Sequence, residues 1–479
     1  DINGVPTTSN HYLLTEVLKE WFGLQGFLIS DWDSVSQLIR QGVANGQKEA
    51  ARLAFNAGVD MEMISDCYLK HLDELVREGK VATQRLDEAV RRVLRVKFWL
   101  GLFENPYTEP TTEETKPTPM GLACARSLAA RGMVLLKNQD NLLPLKKEGQ
   151  SIALVGPFAT QQDALLGAWA CDGRTEDVVS ILEGMRAVAP KAKILTSPSA
   201  LLDDMLAVAR QADVVVVALG ESRGRSGEAR SVAEIALSPD QEQILAALQA
   251  LNKNIISVVC AGRPTSMVKV ELYSKAILYA WQGGIQAGLA VADILFGDVN
   301  PSGKLPVTFP SSSGQIPIFY NHRQVGRRID EYYGGNDFFN YEDLPGKPSY
   351  PFGYGLSYTR FSYGKVVLDR HQVTPGEGLH ASVQVTNSGE RAGEEVVQCY
   401  LSDLYASITR PVKELKGYTR VKLEPGESQI VSFTLGAREM SFYNPAGELV
   451  LEPGEFRVTV GGSCLANDGE VFEVVGAAS

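Results

Sequence analysis

Four continuous apolar runs in the middle of the chain constrain its fold more than any other feature. Each run is bounded by turn residues, and helical sequence, for instance over 240–251 and 288–295, separates them. Strands that are apolar at every position are typical of parallel sheets, because helices cover both faces of such a sheet. The runs occupy 151–155, 213–219, 254–259 and 275–279. This part of the chain is therefore predicted to be an α/β segment with a mostly parallel sheet, and 305–309 is predicted as a further strand.

The first hundred residues predict a separate α/β pattern. Apolar residues over 13–22 recur at helical spacing, and two short runs that read as buried strands follow at 26–31 and 58–61. Further helices are predicted at 47–56, 68–78 and 83–100. The order suits parallel βα units. Two strands cannot close a barrel, however, and a complete (β/α)8 barrel needs roughly 250 residues. On these residues alone, the end of a barrel and a small lobe of an unrelated α/β fold both remain open.

Three other segments complete the organisation. Residues 104–119 hold four prolines among acidic and Thr residues, which is typical of a linker. Residues 311–360 are rich in Gly, Tyr and Pro with little periodicity, which predicts a long ordered loop that wraps another domain. From 361 onward, short alternating stretches such as 383–386 and 456–460 are separated by turn signals. That pattern predicts an antiparallel β-sandwich.

Charge and motif content argue against several classes of function. The formal net charge is −11, whereas a nucleic-acid surface requires clustered Lys and Arg. No apolar run is long enough to span a membrane. The five His and six Cys residues form no recognisable ligand pattern, so neither a metal nor another cofactor is predicted. Since a G-x-S-x-G elbow is also missing, paired carboxylates remain, and these favour glycoside chemistry.

One candidate carboxylate, Asp31, ends the first predicted strand. In βα architectures the carboxyl ends of the strands carry the active site. The neighbouring Trp32 suits a sugar, because an indole face can stack on the apolar C–H face of a pyranose. The alternative is structural: Asp31 or Asp33 caps the next helix and Trp32 fills core. Asp33 is the better candidate for the cap because it lies nearer that helix.

A second candidate lies in the Gly- and Arg-rich loop after the run at 213–219. This loop presents Glu221 and Glu228, with three arginines at 223, 225 and 230. Nearby guanidinium groups lower the pKa of a carboxyl, whereas a catalytic acid needs the opposite, so Glu228 would have to face a drier pocket or another negative charge. The loop has no phosphate-binding G-x-x-x-x-G-K-[ST] motif. The alternative is an exposed loop with surface ion pairs.

Six stretches of the chain resemble, in the same order, motifs of glycoside hydrolase family 3. GFLISDWDSV at 26–35 is similar to the family's nucleophile segment, and SGEARS at 226–231 is similar to its acid/base loop. Ile235, Leu237 and Gln241 continue the second motif. The remaining stretches are MVLLKN at 133–138 with LPL at 143–145, GDVNPSGKLP at 297–306, YPFGYGLSYT at 350–359 and RPVKELKG at 410–417. The resemblance thus extends over essentially the entire chain.

The resemblance implies a multidomain α/β protein. Residues 1–103 would be the last two strands of a (β/α)8 barrel, 104–119 a linker, 120–310 an α/β sandwich, 311–360 an extended loop and 361–479 a fibronectin-III-like β-sandwich. Asp31 would be the nucleophile, Glu228 the acid/base and Trp32 a sugar-binding residue, with Glu221 a lesser rival to Glu228. The upstream barrel strands that normally supply much of the glucose pocket are not in this sequence, which begins at Asp1. We therefore expect the missing segment from the same or another polypeptide.

The activity implied is that of a retaining β-glucosidase that releases terminal non-reducing β-D-glucosyl residues from oligosaccharides. Two alternatives remain: a β-xylosidase of the same family, which Trp32 fits less well, and a non-catalytic sugar-binding or assembly protein. A nucleotide-binding α/β protein has little support without a phosphate loop. The acid/base motif departs from the family at Val232, where Arg is usual, and at Ser238, where Pro is usual, but Glu228 is retained. The family also implies a periplasmic or secreted location and allows a homodimer.

Overall fold

The computed structural model describes residues 1–108, 116–251, 253–324, 341–344 and 346–476. The chain divides into two units, Asp1–Thr115 and Lys116–Ser479. In the described part of the chain, no helix is both long and apolar enough to cross a membrane.

The first unit consists of two parallel strands and the helices around them. In chain order its elements are a π-helix Tyr12–Trp21, β1 Ile29–Trp32, α1 Ser34–Arg40, α2 Gln47–Ala57, β2 Met61–Met63, α3 Cys67–Arg77 and α4 Thr83–Trp99. Ile29 pairs with Met61 and Trp32 with Met63. The helices and the parallel pairing agree with the predicted βα order. The first helix is wound more widely than an α-helix: the Phe22 N–H donates to the Val17 carbonyl, five residues back.

Both strands were predicted as buried, and this prediction is wrong for both: Met61 of β2 is exposed and the other two residues of β2 are half-buried. Ser30 is buried, but Ile29, Asp31 and Trp32 are exposed. The strands also begin later than predicted, at Ile29 and Met61. Among the described residues β1 and β2 pair only with each other, and their register shifts between Ile29 and Trp32, so Asp31 and Trp32 are both exposed after buried Ser30. The helices cover the Ser30 side and leave the other face open.

The second unit contains a six-stranded sheet in the order β3–β8–β7–β6–β4–β5. The strands are β3 Val134–Asn138, β4 Ser151–Val155, β5 Lys193–Thr196, β6 Val214–Gly220, β7 Asn254–Cys260 and β8 Ala276–Tyr279. All neighbours are parallel except β3 and β8. Its helices are α5 Pro119–Gly132, α6 Asp163–Leu166, α7 Ile181–Val188, α8 Leu202–Arg210, α9 Pro239–Gln249, α10 Val268–Tyr273 and α11 Ala287–Leu295. The four predicted apolar strands are confirmed.

Helices cover both faces of this sheet, as the continuous apolar runs require. Apolar residues of α7 and α11 pack on one face, and those of α8, α9 and α10 pack on the other. The strand predicted at 305–309 is wrong: only an isolated bridge joins Phe309 to Tyr350. Pro306 and Pro310 lack the N–H groups that a regular strand would donate.

The third part is a β-sandwich within the second unit. Its elements are β9 Phe361–Tyr363, β10 Val367–Leu368, β11 Gln372–Val373, β12 Leu379–Asn387, β13 Gly393–Asp403, β14 Glu414–Leu423, β15 Ser428–Leu435, α12 Ala437–Met440, β16 Phe442–Tyr443, β17 Leu449–Val450, β18 Gly454–Gly461 and β19 Gly469–Val474. β10, β12 and β15 form one sheet, with β9 beside β12, and β11, β19, β18, β13 and β14 form the other. One apolar core fills the space between them. The predicted sandwich is confirmed.

The predicted loop 311–360 is only partly described, because 325–340 and 345 lie outside the described residues. In the described part, the only helical turn is the 3-10 turn Ser313–Gln315. The loop contacts the sandwich: the Val412 N–H donates to the His322 carbonyl at 2.9 Å, and the Leu415 N–H donates to the Tyr320 hydroxyl at 3.0 Å.

The GDVNPSGKLP stretch connects the α/β part to the sandwich. The Asn300 amide donates to the Ala392 carbonyl at 2.9 Å, and its oxygen accepts from Ser357 and Tyr358 at 2.8 Å each. Lys304 forms an ion pair with Glu395 at 3.0 Å, and both side chains are largely buried. Burial raises the pKa of Glu395 in spite of this partner. The motif therefore supplies polar contacts between the α/β part and the β-sandwich.

We predict that Lys304→Met destabilises the second unit by about 3 kcal/mol at neutral pH, because Glu395 loses its partner but stays buried. The matched change Lys147→Met removes an exposed ion pair with Asp298 and should cost less than about 1 kcal/mol. Denaturant unfolding followed by circular dichroism measures both.

The loss in Lys304→Met should also depend on pH. The folded-state pKa of Glu395 is raised above its unfolded value, so protonation favours the fold, and stability is lost as the pH rises through the folded-state pKa. The penalty should accordingly shrink as the pH falls towards about 5. A penalty that is constant across this range would contradict the assignment.

Candidate active site

Asp31 lies on the open face of β1, at the carboxyl end of the strand. Its Oδ1 accepts a hydrogen bond from the Trp32 N–H at 2.7 Å, and it has no ion-pair partner among the described residues. Trp32 is 64% exposed. Within the part of the chain that the structure describes, Trp32 therefore fills no core. Asp31 and Trp32 instead present a carboxylate and an indole to solvent from neighbouring positions.

A buried charge cluster fixes the beginning of β1. The Asp60 side chain has no exposed area; it accepts a hydrogen bond from Lys19 at 2.7 Å and forms an ion pair with Arg85 at 2.8 Å. Its second oxygen accepts from the Leu28 N–H at 2.8 Å. Burial lowers the pKa of Lys19, and the Asp60 hydrogen bond opposes that shift. Asp60 thus ties the residue that precedes β1 to the π-helix and to α4.

The carboxyl edge of the two strands is fixed by polar contacts. The Ser30 hydroxyl accepts from the Met63 N–H and donates to the Asp31 carbonyl, both at 2.9 Å. Asp33 occupies the N-cap position of α1, as expected, but its carboxylate accepts from the Ser36 hydroxyl and caps no backbone N–H. Glu62 accepts from the Cys67 and Tyr68 N–H groups at the start of α3, and burial raises the pKa of Glu62.

The loop that carries Glu228 begins where β6 ends. Gly220 has φ +151°, and a Cβ there would collide with the Cys260 carbonyl of β7, so only glycine fits. The side-chain amide of Gln241 accepts from the Gly220 N–H at 2.7 Å and donates to its carbonyl at 2.9 Å. Gln241, a residue of the predicted acid/base motif, therefore fixes the point where the loop leaves the sheet.

Glu221 is a structural residue in this loop. It is 4% exposed, and its two carboxylate oxygens accept from Arg225 and Arg263, each at 3.0 Å. With both oxygens held by guanidinium groups, Glu221 is not placed to donate a proton to a substrate. This geometry disfavours the rival assignment to Glu221.

Glu228 is exposed and has no hydrogen-bond or ion-pair partner within the described ranges. The arginine at 225, expected near Glu228, pairs with Glu221 instead. The backbone on either side of Glu228 adopts positive φ, +115° at Gly227 and +55° at Ala229. A Cβ at Gly227 would meet Ala168 at 2.9 Å and the Trp169 ring at 3.9 Å. The loop thus places Glu228 in solvent near an indole that is 71% exposed.

Three residues that hold or flank this loop were not predicted. Arg263 donates to the Arg225 and Arg230 carbonyls, the latter at 2.9 Å, in addition to Glu221. Gln282 donates to the Ser226 hydroxyl at 3.0 Å, and Trp169 lies beside Gly227. For Arg263 a signal existed: it follows β7, the neighbour of β6, and parallel strands end at a common edge. No sequence pattern marked Gln282 or Trp169.

No group of three or more His, Cys, Asp or Glu side chains suited to a metal ion occurs in the part of the chain that the structure describes. Each unit thus offers one exposed carboxylate beside an exposed indole, Asp31 with Trp32 in the first and Glu228 with Trp169 in the second.

Three family models match consecutive parts of the chain. The glycosyl hydrolase family 3 N terminal domain matches residues 1–96, the glycosyl hydrolase family 3 C-terminal domain matches 133–358, and a fibronectin type III-like domain matches 395–464. The order is the one that the sequence motifs predicted.

Individual relatives agree. A periplasmic beta-glucosidase of Salmonella typhimurium is 40% identical over 96% of this chain and 65% of that protein. A beta-xylosidase of Formosa agariphila is 35% identical over 98% of this chain and 67% of that protein. The crystal structure of a beta-glucosidase from Listeria innocua in complex with isofagomine superposes with a TM-score of 0.92 at 42% identity, covering 99% of this chain and 67% of that one. The chain spans roughly two thirds of each of these proteins, and it belongs to glycosyl hydrolase family 3.

Proposed function

We propose that this chain forms part of a retaining β-glucosidase in which Asp31 is the nucleophile and Glu228 the acid/base. One observation carries the assignment. Each of the two carboxylates stands exposed on a rigid support, and neither has an ion-pair partner among the described residues. Asp60 and Glu221, by contrast, are buried and form ion pairs with cations.

The reaction proceeds by double displacement. Ionised Asp31 attacks the anomeric carbon while protonated Glu228 gives its proton to the departing glycosidic oxygen. The bond from the anomeric carbon to that oxygen breaks as the bond to Asp31 forms. Glu228 then removes a proton from water, which attacks the same carbon and frees Asp31. This mechanism requires the two carboxyl groups to lie roughly 5–5.5 Å apart, whereas inversion requires about 6.5–9.5 Å.

The fold supports a barrel origin for the first unit. Parallel β1 and β2 carry helices on one side, and on the other side Ile29, Asp31 and Met61 are open. In a (β/α)8 barrel, alternate residues face the interior and the carboxyl ends carry the catalytic groups. Residues 1–103 accordingly correspond to the last two strands of a barrel, and the remainder is supplied by the same or another polypeptide. We assign 104–119 as the linker, 120–310 as the α/β sandwich, 311–360 as the loop and 361–479 as the fibronectin-III-like domain.

The substrate class follows from the site and the relatives. Trp32 and Trp169 expose indole faces that suit the C–H face of a pyranose. The relatives include beta-glucosidases and a beta-xylosidase, so terminal β-D-glucosyl units are the first candidate and β-xylosides the second. A periplasmic relative favours a periplasmic or secreted location. A non-catalytic sugar-binding protein would retain the indoles but hydrolyse nothing. The homodimer stays a prediction.

The role of Asp31 is tested by Asp31→Asn in the intact protein. We predict that kcat falls by roughly 10⁴-fold or more on every β-glucoside, because no covalent intermediate can form. Asp33→Asn is the matched control and should retain activity within about threefold, since the Asp33 side chain hydrogen-bonds only Ser36 among the described residues. Equal activity of Asp31→Asn and the wild type would refute the assignment.

The role of Glu228 is tested by comparing leaving groups. In Glu228→Gln, kcat on cellobiose should fall roughly 10²- to 10⁴-fold, because the leaving oxygen of cellobiose needs a proton. The fall in kcat on 2,4-dinitrophenyl β-glucoside should be much smaller, because its leaving group needs no proton. Glu234→Gln, on the same loop, serves as the control. An equal loss on both substrates would contradict an acid role.

We also expect Arg263 to act as a positioning residue for Glu228. Arg263→Gln removes the cation that joins Glu221 to both flanks of the loop, and kcat on cellobiose should fall about tenfold. Arg223→Gln, elsewhere in the same loop, should have little effect. A loss of stability alone would lower kcat on both substrates alike. A selective loss on cellobiose, with 2,4-dinitrophenyl β-glucoside spared, separates positioning from stability.

A further inference from the structure

Ile64 has a strained backbone at the edge of the sheet that carries Asp31. It directly follows β2, has φ +65° and is 54% exposed. The Ser65 N–H donates to the Met63 carbonyl at 2.9 Å, which closes a one-residue turn around Ile64. A γ-turn with positive φ is rare and strained, and a β-branched residue at positive φ is an outlier.

The local fold does not account for isoleucine at this position. Asp33 and Asp66 at the same edge also have positive φ, but aspartate tolerates this conformation and both stand at helix starts. Glycine or asparagine would form the Ile64 turn with less strain. In this chain more than half of the side chain is exposed. Strained backbone of this kind clusters at active sites and ligand clamps.

The register of the strands places Ile64 relative to Asp31. Met63 pairs with Trp32, and the Met63 carbonyl accepts from the Asp33 N–H at 3.0 Å. Ile64 therefore lies about two residues beyond the level of Asp31, roughly 7 Å along the strand direction. In a double displacement the leaving group departs on the side opposite the attacking carboxylate. Ile64, which lies beyond Asp31 in the direction of the strand, is therefore at the level of that leaving group.

We propose that Ile64 is a specificity-determining residue that packs against the apolar surface of the aglycone. The inference rests on the function proposed above. The β-branched side chain has few rotamers, so it offers a stiff apolar wall at little entropic cost. Aglycones with an aryl or other apolar surface fit this wall, whereas the glucosyl group itself does not require it.

The test compares Ile64→Asn and Ile64→Gly with Ile64→Val in the intact protein. Asparagine and glycine relieve the strain, so the melting temperature should rise by about 1–3 °C in Ile64→Asn. The value of kcat/KM for 4-nitrophenyl β-D-glucoside should fall about tenfold in both variants, because one apolar contact to the aglycone is lost. Inhibition by glucose, which has no aglycone, should not change. Ile64→Val keeps the wall and should remain within about threefold.

A second control separates strain from surface polarity. Val43 is an exposed β-branched residue of the same unit without positive φ, so Val43→Asn should not raise the melting temperature. The inference is overturned if both Ile64→Asn and Ile64→Gly keep kcat/KM within twofold, or if glucose inhibition weakens in parallel with the loss. A wild-type protein that hydrolyses no β-glucoside would instead overturn the proposed function, while the melting-temperature comparison would still report on the strain.

Discussion

The loop that presents Glu228 depends on one buried carboxylate, Glu221. A buried charge is tolerated only with partners, and Glu221 has two guanidinium groups. The five donors of Arg263 allow it to bind Glu221 and two loop carbonyls together, which lysine could not do. The same arrangement draws Arg225 away from Glu228. Glu221 therefore fixes the shape of the loop and also leaves the candidate acid without an ion pair, as a group that must gain and lose a proton requires.

In the first unit, too, a buried and paired carboxylate lies near an exposed one, at strand β1. Asp60 is buried at the beginning of β1 with Lys19 and Arg85 as partners, while Asp31 stands exposed at the other end of the strand. Breaking such a buried pair is costly, because the remaining charge stays in a low-dielectric interior. In both units, then, a paired acid inside the fold gives rigidity to an unpaired acid outside it. Rigidity of this kind keeps a nucleophile within the narrow geometry that an in-line attack needs.

The sequence predicted the parts of the fold that one local signal determines. The apolar runs of β4, β6, β7 and β8 identified strands because burial on both faces leaves few polar positions. It failed where tertiary contacts decide: the stretch 305–309 is apolar, but its prolines and partners prevent a regular strand. In the site, Asp31 and Glu228 could be named from motifs. The pairing of Arg225 with Glu221 could not be predicted, because a charge run does not reveal which cation each acid takes. The position of Arg263 after β7 could have placed it at the same edge, but not its pairing with Glu221.

The motifs that identify the family are of two physical kinds, and the sequence alone does not distinguish them. Those at 26–35 and 226–231 each present a carboxylate to solvent. In the motif at 297–306, Asn300 satisfies backbone groups between the α/β part and the sandwich, Lys304 pairs with Glu395, and a Cβ at Gly303 would collide with the Met133 carbonyl. Its residues are constrained because backbones approach closely and buried polar groups must be paired. A motif therefore marks a position where few residues fit, and only the burial and the partners of its side chains decide whether a substrate or the fold imposes that restriction.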